Sequence, residues 1–336
     1  MTDNAPPRAF SATTALSIAG GAALFAIVVW KVGPAEILEG FRRLGWGIAL
    51  VVALGGLRFA ARAAAWMACI EAPHVLPFRA AFAAVIAGDT LGNATPLGPV
   101  VGEPAKVAYV RQQLPPAVAL TALAIENLLY SLSAAAMIGA GMVALLFAFD
   151  VPIAVRDVSE VAITLIVVGF VASLVMLWRK PALLSRWLPL AGAPGASVRS
   201  KADKVRALEA EIYTFASRRP GALATTILFE ALFHALGVLE AFITIWLLTD
   251  TQPTLLVAFI METAQRLMTV AFKVVPFQIG VGEAATAVFT QVLGLGDSLG
   301  LNFALARRAR IAVWAGVGAL LLIQKGTRRS RIKDQG

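Results

Sequence analysis

Cysteine, histidine and charge are all scarce in this sequence. One cysteine, Cys69, excludes an intramolecular disulfide, and two histidines, His74 and His234, are too few for a histidine-rich metal site. No cofactor is called for by any motif. Charged residues make up 15% of the chain against 59% hydrophobic ones. With a mean hydropathy of +0.78, that balance excludes a soluble domain that hides its apolar side chains in one core.

The hydrophobic residues fall into runs of spanning length near 11–30, 46–69, 79–95, 117–147, 158–178, 221–248, 254–275 and 303–323. About 20 apolar residues cross a hydrocarbon core of roughly 30 Å as a helix. The runs are continuous and lack the period of two that a β-barrel strand would show, so the predicted fold is all-α: a polytopic helical membrane protein with about 8 membrane segments. The first run is read as a membrane segment and not a cleaved signal peptide, because it is long enough to span and no polar cleavage region follows it.

A net charge of +9 would suit nucleic acid, but its placement points to lipid. Basic residues crowd into 179–219 and into the tail from Lys325 to Lys333, as cytoplasmic segments facing anionic headgroups do. The connection Thr249–Pro253 has no basic residue and is assigned outside. The chain is therefore expected in a bacterial inner membrane with its C-terminus in the cytoplasm, bound to an anionic lipid surface and not to nucleic acid. A homo-oligomer is compatible with this reading. The basic interval divides the chain into a first membrane half (1–178), a loop (179–220) and a second membrane half with the tail (221–336). Val205, Leu208, Ile212 and Phe215 lie at helical spacing within the loop, as in an amphipathic helix on the inner membrane surface or in a solvated linker helix.

Pro96, Gly102 and Glu103 recur as Pro276, Gly282 and Glu283, each 180 positions on, within "PLGPVVGEPAKVAY" and "PFQIGVGEAATAVF". The spacing predicts two related halves, each with a broken or re-entrant helix whose freed backbone faces protein or a cavity. Pro96, Gly102, Pro276, Gly280 and Gly282 are the expected helix breaks, and Pro104 fits the first turn of the helix that restarts.

Ionisable groups inside spanning helices are expensive and normally face a cavity or one another. Arg58 and Arg62, four apart, form either a cationic ledge for phosphate or ion pairs with buried acids such as Asp89 or Glu126. Glu103 and Glu283 either cap the restarting helices or bind a cationic headgroup, a proton or sodium; capping would equally admit Ser, Thr or Asp, which favours the second role. Lys106 neutralises Glu103 or meets lipid phosphate. Asn93 and Glu126 join this first cluster, and Lys273 adds positive charge to the second. Glu262 with Arg266 and Glu230 with His234 are i, i+4 pairs, the latter a proton-relay candidate because histidine changes charge near neutral pH. An outside start for the last helix puts Arg307, Arg308 and Arg310 there against the usual bias; either they line a polar cavity or the topology differs.

At "NATPLGPVVGEPAK", the following helix with Glu126, and "VPFQIGVGEA", the sequence resembles the lysylphosphatidylglycerol synthase transmembrane-region family, also described as a flippase-like domain. The resemblance covers essentially the whole chain. It departs at Asn127, where the family often has Arg, and in the short glycine run of the second motif, which is closer to the hopanoid-associated branch. It implies a lipid flippase whose cargo is a phospholipid, a hopanoid or a polyprenoid-linked lipid. The 336 residues hold no soluble domain large enough to take lysine from transfer RNA, so synthase chemistry is expected to be absent. A membrane-embedded lipid-modifying enzyme and an accessory scaffold of a lipid-synthesis complex are the alternatives.

Overall fold

The computed structural model describes residues 33–95, 98–179, 210–249, 252–271 and 281–333, with positions 23, 26, 27 and 30 of the first apolar run. The chain forms α1 (Pro34–Leu44), α2 (Gly47–Cys69), α3 (Phe78–Ala94), α4 (Gly98–Val110), α5 (Pro116–Ala148), α6 (Ile153–Arg179), α7 (Pro220–Leu248), α8 (Leu255–Ala271), α9 (Val281–Val292) and α10 (Asp297–Lys333). Residues 210–218 are also helical, and no strand occurs among the described residues. Among the described residues, three helices, α2, α5 and α7, are long and apolar enough to cross a membrane by length and composition alone. The protein is a polytopic helical membrane protein.

The 180-residue repeat reappears as a repeat of elements. Shifted by 180, the helices α2 to α5 fall on 227–249, 258–274, 278–290 and 296–328, closely overlaying α7 to α10. In the same way α1 falls on 214–224, over the helical residues from 210 to 218.

The two copies run in opposite directions. The Arg219 guanidinium, just before α7, donates to the carbonyls of Ala68, Cys69 and Ile70 at 3.3, 3.0 and 2.8 Å, capping the end of α2. A cation there satisfies carbonyls that the helix itself leaves unpaired. At the opposite end Gly47, which starts α2, packs against Leu247 in the last turn of α7.

Two apolar clusters close the ends of the bundle. One joins Cys69, Leu76, Val110, Leu114 and Ala119 with Phe215, so α3 enters and α4 leaves at the end where α2 finishes. The other joins Ile245, Ala258, Phe289, Leu293 and Leu299 with Leu145, so α8 enters and α9 leaves at the end where α7 finishes. Each short-helix pair is thus a hairpin that returns to its own side, and the two hairpins enter from opposite ends. Ile212 and Phe215 of the basic loop are packed into the first cluster; Val205 and Leu208 lie outside the described residues.

The first break is shorter than the sequence suggests. Helix α3 ends at Ala94 and α4 already begins at Gly98, so Gly102 and Pro104 lie inside α4 and not at its start. Gly102 is a contact residue: a Cβ there would stand 2.8 Å from the Gly88 carbonyl oxygen and 3.4 Å from the Gly92 Cα. Gly88 in turn leaves room for the stem of Lys106, whose Cγ would clash with an added Cβ. Glycines here serve close approach of two backbones, while Pro104 costs α4 one internal hydrogen bond. Pro96, Pro276, Gly280 and Lys273 lie outside the described residues; Gly282 and Glu283 fall in the first turn of α9, and the Glu283 side chain is likewise outside them.

A hairpin geometry of this kind predicts that Gln112, after α4, and Gln252, before α8, lie on opposite sides of the membrane. In a Cys69→Ala background, Gln112→Cys and Gln252→Cys should react with an impermeant maleimide in opposite preparations, one in inside-out vesicles and the other in intact cells.

Candidate functional site

A cavity of about 230 Å³ lies among α2, α3, α4, α5, α7, α8 and α10. At roughly 30 Å³ per water it has room for about seven or eight waters, the scale of a small polar headgroup. Six cations line it (Arg58, Arg62, Lys106, Arg266, Arg307 and Arg310) against one carboxylate, Asp89. Asp89 and Thr269, and likewise Tyr130 and Arg310, are 180 residues apart, and all four line the wall, so both halves contribute equivalent positions.

Buried guanidinium groups need partners, and a second row of carboxylates supplies them. Arg58 donates to Glu240 at 2.9 Å and to Glu262 at 3.0 Å. The same Glu262 oxygen accepts from Arg266 at 2.6 Å, and the same Glu240 oxygen accepts from Arg310 at 2.7 Å. Two carboxylates thereby bridge three arginines from α2, α8 and α10. Gly237 clears the space: a Cβ would stand 2.6 Å from Glu262 Oε1 and 3.3 Å from Arg58 Cζ.

The second cluster is built from the first half. Arg62 pairs bidentately with Glu126 at 2.5 and 3.1 Å. Glu103 accepts from Lys106 Nζ at 2.8 Å and from Asn127 Nδ2 at 3.0 Å. Being the sixth residue of α4, Glu103 caps no helix start; it holds Lys106 against the cavity. Asn93 donates to Asp89 at 2.8 Å on the wall itself.

Aromatic faces complete the site. The Phe233 ring has Arg58, Arg266 and Arg62 within 4.8, 4.9 and 5.8 Å of its centroid, and Arg62 also lies 3.9 Å over Tyr130. The ring quadrupole attracts each cation while presenting no competing acceptor. Arg307 differs from the other arginines: its partner is the neutral amide oxygen of Gln265, at 2.6 Å. Gln265 is itself fixed by a short hydrogen bond to Thr286 of α9, the position equivalent to Lys106.

Arg58 and Arg62, for which the sequence left a choice between ledge and ion pair, do both: they line the cavity and are paired from behind. Of the three arginines that opposed the charge bias, Arg307 and Arg310 face the cavity. Glu230 and His234 are buried beside it on α7 without a hydrogen bond to each other; His234 Nε2 is 3.0 Å from Ser133 Oγ. Sequence reasoning missed Glu240, Tyr130 and Phe233. A signal for Glu240 existed: Glu230, His234, Gly237, Glu240 and Thr244 form one stripe at helical spacing along α7, all of it buried.

Removing one member of the bridged network should be far more costly than removing a surface partner. Glu262→Leu, which strips Arg266 of its carboxylate and leaves Arg58 with Glu240 alone, is expected to destabilise the protein by about 3–5 kcal/mol. Glu39→Gln, which breaks the exposed pair with Arg43, should change stability by less than about 1 kcal/mol. Thermal unfolding of the two variants in detergent measures the difference.

No curated protein and no solved structure matches the chain. A family model does: the Lysylphosphatidylglycerol synthase TM region, over residues 14–318, a span that takes in both hairpins and every charged residue of the cavity wall. By that match the chain belongs to the lysylphosphatidylglycerol synthase transmembrane-region family, a family of membrane proteins with lipid-related function.

Proposed function

We propose that this protein is a translocator of the bacterial inner membrane that carries a phosphate-bearing lipid headgroup through the central cavity while the apolar tail stays in the bilayer. The observation that carries the reading is the charge of the site. Six cations face the cavity against one carboxylate on the wall, Asp89, while the acids that pair them, Glu103, Glu126, Glu240 and Glu262, stand behind it. Arg307, bonded to an amide and to no carboxylate among the described residues, is where that charge is least compensated. Guanidinium groups suit phosphate because their paired N–H donors match its oxygens.

The fold supplies the means of transfer. Two related hairpins entering from opposite ends allow the same cavity to be closed from one side and then from the other, as in transporters built from inverted repeats. Translocation is preferred to chemistry because the wall hydroxyls of Thr90 and Thr269 donate to their own helix carbonyls, Ile86 and Gln265, and Tyr130 Oη accepts from Arg266. Among phospholipid, hopanoid and polyprenoid-linked cargo, the charge favours a lipid with a phosphate next to its headgroup. Cytoplasmic placement of the 179–219 loop and of the C-terminus belongs to the same proposal and rests on their basic residues.

The test is transfer of fluorescent phosphatidylglycerol across proteoliposomes, read by reduction of the outer-leaflet label. Arg307→Gln should slow transfer by about ten- to a hundredfold, the loss of one charged hydrogen bond to phosphate. Arg156→Gln, on the exposed face of α6, should leave the rate unchanged. Absence of transfer by the unaltered protein, or equal rates for Arg307→Gln and the unaltered protein, would overturn the reading.

A further inference from the structure

Among the described residues, Glu230 is the carboxylate of the site whose two oxygens both lack a hydrogen-bond partner. It is 1% exposed. The charged groups that face it are Arg62 on α2, Glu126 on α5 and Arg266 on α8. Both arginines are committed elsewhere, Arg62 to Glu126 and Arg266 to Glu262 and Tyr130. On its own helix His234 is turned to Ser133 and lies parallel to the Tyr130 ring, 6.2 Å between centroids.

The group beside Glu230 is the Glu126 carboxylate, an acceptor like itself and also 1% exposed: one turn further along each helix, Tyr130 of α5 packs on Phe233 and His234 of α7. Two ionised carboxylates side by side in a buried site, with the one guanidinium bonded to Glu126, repel each other and leave the Glu230 charge without compensation. A proton on the pair removes the repulsion and supplies the missing donor. The same pair lies directly behind the cavity wall, because Arg62, which holds Glu126, also lines the cavity.

We propose that Glu126 and Glu230 form a proton-binding pair, and that an anionic headgroup held by Arg62 is bound together with one proton. The inference rests on the headgroup reading above for its ligand, but not for the proton site itself. The sign follows from charge. A phosphate on Arg62 takes up part of the guanidinium that compensates Glu126 and brings its own negative charge to the wall. The pair, already carrying one proton, then takes a second from the aqueous phase, so binding strengthens as pH falls, by up to about tenfold per pH unit. No bond other than these O–H bonds is formed or broken. Movement of the headgroup would then be coupled to movement of a proton in the same direction.

Two measurements on the full chain separate the proton site from its coupling. Infrared spectroscopy of the purified protein at neutral pH should show the carbonyl band of a buried protonated carboxyl, lost in Glu230→Gln, whose amide resembles the protonated acid and preserves packing. If the band is missing, or survives in both Glu230→Gln and Glu126→Gln, the proton site is refuted whether or not any lipid binds. Calorimetric binding of short-chain phosphatidylglycerol in buffers of different ionisation enthalpy then counts protons. Close to one should be taken up per lipid, and none in the Glu126→Gln, Glu230→Gln double variant. Binding to the unaltered protein without proton uptake would overturn the coupling while the headgroup reading stands. No binding at all would remove the headgroup reading and the coupling with it. Inorganic phosphate run in parallel distinguishes the sources: equal affinity for it would mark a free-anion site in place of a lipid one.

Discussion

Three arginines and two glutamates in the middle of a membrane bundle set the terms for the rest of this protein. Arg58, Arg266 and Arg310 come from three different helices and meet on Glu240 and Glu262. None of these ions could be left there singly, since an unpaired charge at that depth costs several kcal/mol. The helices that carry them must therefore stay in register. Gly237, which admits Glu262 and Arg58, and Gly55, where a Cβ would stand 3.1 Å from Arg310 Cδ, are the packing consequences. Pairing each arginine through part of its guanidinium still leaves these side chains on the cavity wall. The network thus keeps a cationic surface in an apolar protein without the full cost of bare charge.

Around this centre the chain repeats itself in reverse. The α3–α4 hairpin and the α8–α9 hairpin occupy equivalent places 180 residues apart and approach from opposite ends. Their chemistry has diverged. Lys106 of the first is held by Glu103, whereas Thr286, its equivalent in the second, bonds Gln265, which in turn positions Arg307. One half presents a lysine with its own counterion and the other an arginine with a neutral partner. The asymmetry leaves Arg307 as the wall cation without a carboxylate partner among the described residues.

Much of the architecture was legible because membrane burial writes strong signals. Seven of the eight apolar runs correspond to α2, α3, α5, α6, α7, α8 and α10, and the first lies almost wholly outside the described residues. The paired motifs were legible because proline and glutamate are rare in such a chain. The role of Gly102 was not, because a glycine that breaks a helix and one that lets two helices touch look alike in sequence. Only the Gly88 carbonyl 2.8 Å from its would-be Cβ separates them. The same limit applies to Arg58 and Arg62: four-residue spacing puts them on one face, but their partners, Glu240 and Glu126, are 182 and 64 positions away. α1 escaped notice because its apolar positions, Ile37, Phe41 and Leu44, are interleaved with Glu39, Arg42 and Arg43 and fall short of a spanning run.

The central claim is that the arginine wall receives a phosphate headgroup. It is tested most directly by electron cryomicroscopy of the protein in nanodiscs of phosphatidylglycerol. The account predicts density for a phosphate inside the cavity, within hydrogen-bonding distance of Arg307 and Arg62, with acyl chains leading out between helices. Lipid density confined to the outer surface of the bundle, with ordered water alone against those arginines, would contradict it.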